Sequence, residues 1–182
     1  MNVHTFRLAE EMGRPTMYHT EDGDEARRIF NKFTDATIPG DTIVIDCEGV
    51  EIFDASFAGA FFAQIIVGLP VSHPERMLIV RGLNKSTQLN LDLVLEKLGV
   101  MLAEVEEGKM SLLGKKAAVD VETLEFMLSQ KEPLSVRDFA ERLQIKATAA
   151  NERLSKLAKM AILHRFATSG GRTQQLYAAP SV

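Results

Sequence analysis

The side chains able to do chemistry separate by spacing. Asp41, Asp46, Glu48, Glu51 and Asp54 crowd into one short stretch, a density that a metal ion or a phospho-accepting aspartate could use. No histidine or lysine is tied to them by any spacing. His4, His19, His73 and His164 are scattered, and each reads as a surface or hydrogen-bonded histidine. The expectation is therefore a solvated acidic sheet edge, with no metal and no cofactor. Cys47 is the only cysteine. A nucleophilic role would need a histidine partner that the sequence does not locate, and its β-branched surroundings favour an inert buried thiol. Gly82-Leu83-Asn84-Lys85-Ser86-Thr87 has the look of a phosphate loop, but that loop needs glycine directly before the lysine and again five residues earlier. Asn84 and Ile79 occupy those places, leaving an ordinary strand-to-helix loop with Ser86 or Thr87 as cap. Enzyme chemistry is not expected.

The strongest signal is cationic. Net charge is −4 over 182 residues, but it is unevenly spread. Residues 1–113 hold ten Lys/Arg against eighteen Asp/Glu, and residues 114–182 hold eleven against seven. From residue 142 onward, seven basic side chains face one acid, Glu152. Such asymmetry marks a basic functional module joined to a different one. Length suits one large domain or two small ones, and the polar run Glu106–Lys109 begins a connector. We place the boundary near Gly114, giving domains 1–113 and 114–182. The longest apolar stretch, Phe57 to Leu69, is broken by Gln64 and stops at Pro70, short of the roughly 20 residues of a membrane span. With Glu10 and Glu11 where a signal core would lie, and one cysteine, the chain is expected in the cytoplasm.

The elements that position these groups follow from periodicity. In the first part, strands are expected at 3–9, 15–20, 42–47, 77–82 and 100–105. Helices are expected from Asp22 or Asp24 to Thr34, from Ser56 to Gly68, and from Thr87 to Leu98. Strands alternating with helices of this length imply a mostly parallel sheet, an α/β fold. Residues 106–120 show no sustained period. In the second part, helices are expected over 121–130 and 136–143, the latter capped by Ser135 facing Asp138. A tight Gln144-Ile145-Lys146 link leads to a third helix, capped by Thr148 and ending near Met160. Strands 162–167 and 175–179 then enclose a glycine-rich loop.

The stretch FAERLQIKATAANERLSKLAKMAILHRFATSGGRTQQLYAA resembles the winged helix-turn-helix domains of bacterial transcription regulators. Gln144 and Ala161 stand where that pattern usually has glycine. The resemblance implies that the third helix enters the major groove of double-stranded DNA. Its side away from the core carries Lys146, Thr148, Ala149, Asn151, Glu152, Arg153, Lys156 and Lys159. Asn151 and Arg153 have the chemistry to read bases, Glu152 could accept from a cytosine amino group, and Lys156 and Lys159 suit phosphates. Arg165 would add a phosphate contact and Arg172 a wing-tip contact. The competing reading is a module that binds protein.

The string GDTIVIDCEGVEIFDASFAGAFFAQII, residues 40–66, resembles the STAS fold of anti-sigma-factor antagonists, and more closely the STAS-like domains with Ser-Phe-Ala at the helix start. The full expectation is thus a STAS-like mixed sheet with helices, followed by a small winged helix-turn-helix domain. In the antagonists a serine at this position is phosphorylated by a partner kinase. Ser56 matches it, although Phe57 replaces the following glycine. Ser56 also has a structural use as helix N-cap. The apolar helix after it could face a protein partner or the second subunit of a homodimer, or be covered within one domain. Two functions follow: a DNA-binding transcription regulator with a sensing, dimerising or docking domain, or an adaptor in an anti-sigma-type partner switch. No membrane is involved in either.

Overall fold

The computed structural model describes residues 2–167 and 175–180. Its first part is built from β1 (Val3–Arg7), α1 (Leu8–Met12), β2 (Thr16–Met17), α2 (His19–Thr34), β3 (Thr42–Asp46) and β4 (Ile52–Phe53). A continuous helical stretch follows: α3 (Ala55–Ala58), a π-helical turn (Gly59–Ala63) and α4 (Gln64–Ser72). Then come β5 (Met77–Arg81), α5 (Lys85–Leu98), β6 (Met101–Glu106) and β7 (Lys109–Gly114). The main sheet has the order β1-β3-β5-β6-β7, parallel except for the last strand. The chain is therefore mixed α/β.

The strand order explains where the helices lie. The first four strands are laid side by side in chain order. Parallel crossovers are right-handed almost without exception, so each returns its helix to the same face. Phe6, Ile43, Ile45, Leu78, Val80 and Leu102 on that face pack with Ala26 and Phe30 of α2, Phe57, Phe61 and Phe62, and Leu91 and Leu95 of α5. Ala55–Ser72 is long and apolar enough to cross a membrane by length and composition, but here 44 % of it is buried and its phenylalanines fill this layer. The same crossovers leave Val44, Ile79, Met101, Ala103 and Leu112 on the opposite face with no helix from the first part.

The C-terminal part covers them. It comprises α6 (Ala118–Leu128), β8 (Leu134–Ser135), α7 (Val136–Leu143), α8 (Ala147–Lys159), β9 (His164–Ala167) and β10 (Gln175–Ala178). The three strands form an antiparallel sheet in the order β8-β10-β9. Leu124, Met127, Phe139, Leu154, Leu157, Ile162 and Tyr177 form one buried cluster with the open sheet face. The Leu78 amide, in a stretch where β6 does not pair, donates to the Ala161 carbonyl at 2.8 Å. One hydrophobic cluster thus spans the boundary near Gly114.

Several local expectations change. The 106–120 connector contains β7, a strand closed onto β6 through Glu107 and Gly108. Both have positive φ (49° and 76°), the backbone of a tight hairpin turn that a charged residue beside glycine disguises. Strand 15–20 shrinks to two residues because α2 begins at His19. Neither Asp22 nor Asp24 is its N-cap; Tyr18 is, and the Asp22 carboxylate accepts from the Tyr18 amide at 2.7 Å. Asn84, not Ser86 or Thr87, caps α5, in a reciprocal pair with Thr87. Lys146, not Thr148, is the N-cap of α8, and no side chain bonds there. Gln144 and Ala161 adopt the left-handed conformation (φ 55° and 56°) that glycine would take more cheaply.

Candidate nucleic-acid interface

α8 buries Ala150, Leu154 and Leu157 against the module's core and leaves the remaining faces outward. At 13 residues it is about 20 Å long, a length that fits a major groove. α7 packs against it, and its start is fixed by Ser135, whose hydroxyl accepts from the Asp138 amide while the Asp138 carboxylate accepts back. These bonds pull the Asp138 carboxyl below the ordinary carboxylate value.

The residues expected at the interface divide into two groups. Lys146, Thr148, Asn151, Glu152, Lys159 and Arg165 are exposed. Arg153 and Lys156 turn toward α6. Lys156 Nζ donates to Asp120 Oδ2 at 2.6 Å, and Arg153 donates to Glu122 Oε2 at 3.2 Å. Lys156 keeps 46 % of its side chain exposed and Arg153 24 %, so both charges are partly neutralised within the module. Asp120 is itself buried and also accepts from the Ala117 amide at 2.8 Å. Pairs joining residues more than 30 apart, as these do, are invisible to local spacing. Arg172 lies outside the described residues.

Two further features escaped sequence reasoning. Ser155 sits one turn beyond Asn151, with its hydroxyl 3.3 Å from the Tyr177 hydroxyl of β10, tying the outer helix to the hairpin. Lys159, Arg165 and Gln175 line a cleft of about 290 Å³ shared with Pro74, Glu75 and Arg76 of the α4–β5 loop. The end of α8 therefore stands beside the first part of the chain. His164, next to Arg165, is buried, and Nε2 has no partner among the described residues. Burial drives its pKa down against the raising effect of the Glu75 carbonyl bonded to the ring.

The acidic group is solvated only in part, and β3 is an interior strand of the sheet, not an edge. Asp41 is buried and accepts from the Ile38 and Asn2 amides and from His4 Nε2. Burial raises its pKa, but these partners outweigh that effect and hold it at about 2. Asp46 is buried between two arginines: it pairs with Arg81 at 2.8 Å and stands in strand register with Arg7 on its other side. Glu48 and Glu51 remain exposed. Cys47 is buried, and its thiol is pushed far up by that burial and by nearby Asp46 and Glu104. Among the described residues no His/Cys/Asp/Glu group has metal-holding geometry.

Ser56 is exposed at the second position of α3, and it is not the cap. Asp54 is: its carboxylate accepts from the Phe57 amide at 2.7 Å and the His19 amide at 3.0 Å. Burial opposes ionisation of Asp54, yet the amides of Phe57 and His19 prevail and lower its pKa. An Asp two residues ahead of Ser56 was the available signal for this arrangement, since aspartate caps as well as serine. Ser56 shares a shallow surface pocket with Tyr18, His19, Glu21 and Asp22. No family model matches this chain, and no curated protein matches it.

Proposed function

We propose that the chain is a bacterial transcription regulator that binds double-stranded DNA through α8, with β9 and β10 as the wing of a winged helix-turn-helix. The first part is a STAS-like unit for sensing, dimerisation or docking. The reading involves no catalysis. The observation that carries it is the outer face of α8: Thr148, Asn151 and Glu152 flanked by Lys146 at one end and by Lys159 and Arg165 at the other. The polar centre has base-reading chemistry, with Asn151 suited to adenine and Glu152 to a cytosine amino group. The flanking cations, and the α8 amides that no side chain caps, suit phosphates. Arg153 and Lys156 contribute less than their number suggests, because α6 holds them.

The test is fluorescence anisotropy of duplexes selected from a random pool, with the salt concentration varied. Each phosphate neutralised contributes a slope of about −0.9 in log K against log salt. Lys146, Lys159, Arg165 and Arg172 together give a slope of roughly −3 to −4. Lys159→Ala with Arg165→Ala lowers affinity for all duplexes alike, whereas Asn151→Ala relaxes preference at one position. No binding to any duplex at low salt defeats the reading.

A specific observation favours the adaptor reading as second: Ser56 is exposed next to a carboxylate already held by two amides. A phosphate there would add charge beside Asp54, Glu21 and Asp22, and would repel an acidic partner. Ser56→Asp and Ser56→Ala should then differ in partner capture; equal capture removes Ser56 from the account.

A further inference from the structure

We infer that α5 is a homodimer seam, pairing antiparallel with α5 of a second copy of this chain. Leu89 and Leu93 are 60 % and 54 % exposed on a helix whose other face is buried through Thr87, Leu91 and Leu95. At about 100° per residue, Leu89 and Leu93 straddle the middle of the outward face. Lys85 and Glu96 lie along one flank of that face, and Ser86 and Lys97 along the other. Lys85 and Glu96 have no ion-pair partner within the chain among the described residues, where Asp92 of the same helix pairs with Lys116.

Charge complementarity suits a second copy as the occupant, and closure of both ends of the seam favours the antiparallel orientation. A twofold axis lying across the helix near Leu91 keeps each flank on its own side and inverts the helix direction. It brings Leu89 onto Leu93 of the second copy, Lys85 onto Glu96, and Ser86 onto Lys97. Each contact occurs twice by symmetry, as a self-complementary interface requires. A parallel arrangement exchanges the flanks, so that Glu96 would meet Lys97 at one end of the seam while Lys85 would meet only Ser86 at the other. The leucines thus lie in a seam closed at both ends by opposite charges. One helix from each copy buries an area at the small end of specific interfaces, below about 1,200 Å² in total, so the dimer is expected to be weak and concentration-dependent.

The inference does not rest on DNA binding, and its test needs no DNA. Sedimentation equilibrium of the full chain should show a monomer–dimer equilibrium. Leu93→Glu, which is exposed in the monomer and should leave the circular dichroism spectrum intact, should weaken dimerisation about a hundredfold, since each change acts twice. Lys85→Glu and Glu96→Lys should each weaken it about fivefold, and the double reversal should restore it. Leu89→Cys with Leu93→Cys should give a disulfide-linked dimer under oxidation, Cys47 being buried. Val67 and Val71 on α4 are also exposed, and Val71→Glu should change nothing. A chain that stays monomeric at high concentration overturns the inference. So does a dimer lost with Val71→Glu but kept with Leu93→Glu, or one in which the double reversal fails to rescue.

Discussion

The two faces of the five-stranded sheet are covered by different means. One face is roofed by helices that its own crossovers must place there, each within a few residues of the strands it joins. The other waits for α6, α8 and the Ile162 and Leu163 side chains just ahead of β9, supplied by chain from beyond residue 114. The first cover is a consequence of connectivity and the second of docking. A module that completes another unit's core cannot be loosely tethered. The proposed reading helix is therefore held in a fixed orientation relative to the sheet, in contrast to a domain on a flexible linker.

The sharpest way to break this comparison is to weaken the docked face alone. Ile79→Ala removes apolar volume between the sheet and the C-terminal cluster and should cost about 2–5 kcal/mol. Denaturant unfolding should still show one transition, shifted as a whole. Two separated transitions would mean that the sheet and the module are independent. Asp120→Asn should act next most strongly, by removing the buried charge opposite Lys156. Stability should fall by about 1–3 kcal/mol, while duplex affinity rises and its salt slope steepens by about one contact. Unchanged anisotropy titrations would place Lys156 outside the DNA interface.

pH sharpens the contrast further. His164 sits at the docked face with its pKa lowered from 6.5. The unfolded chain binds a proton more readily, so stability attributable to this group is present above pH 6.5 and is lost on acidification below it. Comparing the melting temperature of the parent with that of His164→Gln between pH 7.5 and 5 measures it, and the variant should flatten the slope. Glu104 lies on the other face, under α5, buried and with both carboxylate oxygens within 3 Å of Gln88 Nε2. Burial raises its pKa, so its contribution has the opposite sign: stability declines as pH rises through the folded pKa. Glu104→Gln should raise the melting temperature slightly at pH 8 and leave it unchanged near pH 4.

Much of the fold was legible because its signals are local. The β-branched run Thr42–Asp46 and the spacing of Leu91 and Leu95 each mark an element within a few residues. The hairpin to β7 was missed because Glu107 obscures the turn and because Lys109 and Ser111 read as polar until the edge position of the strand explains them. The outer residues of α8 were legible as a set, but their division was not. Whether a lysine meets solvent or Asp120 depends on how α6 crosses α8, and no helical period encodes a partner 36 residues away. The burial of Asp41 and Asp46 was hidden for the same reason, since His4 and Arg81 reach them only through strand pairing.

Gly114 gives the joint between the two parts a consequence for protein engineering. Its amide donates to Asp92 of α5 at 2.7 Å, its φ is +88°, and a β-carbon there would run into the Val100 carbonyl oxygen. The point at which one would naturally cut and splice is thus welded to α5, to Val100 in the link that follows it and, through strand pairing, to β6. Cassette exchange of the C-terminal part onto another scaffold should keep this glycine together with α5 and β6 from the same parent, because a graft made at residue 114 alone severs the weld.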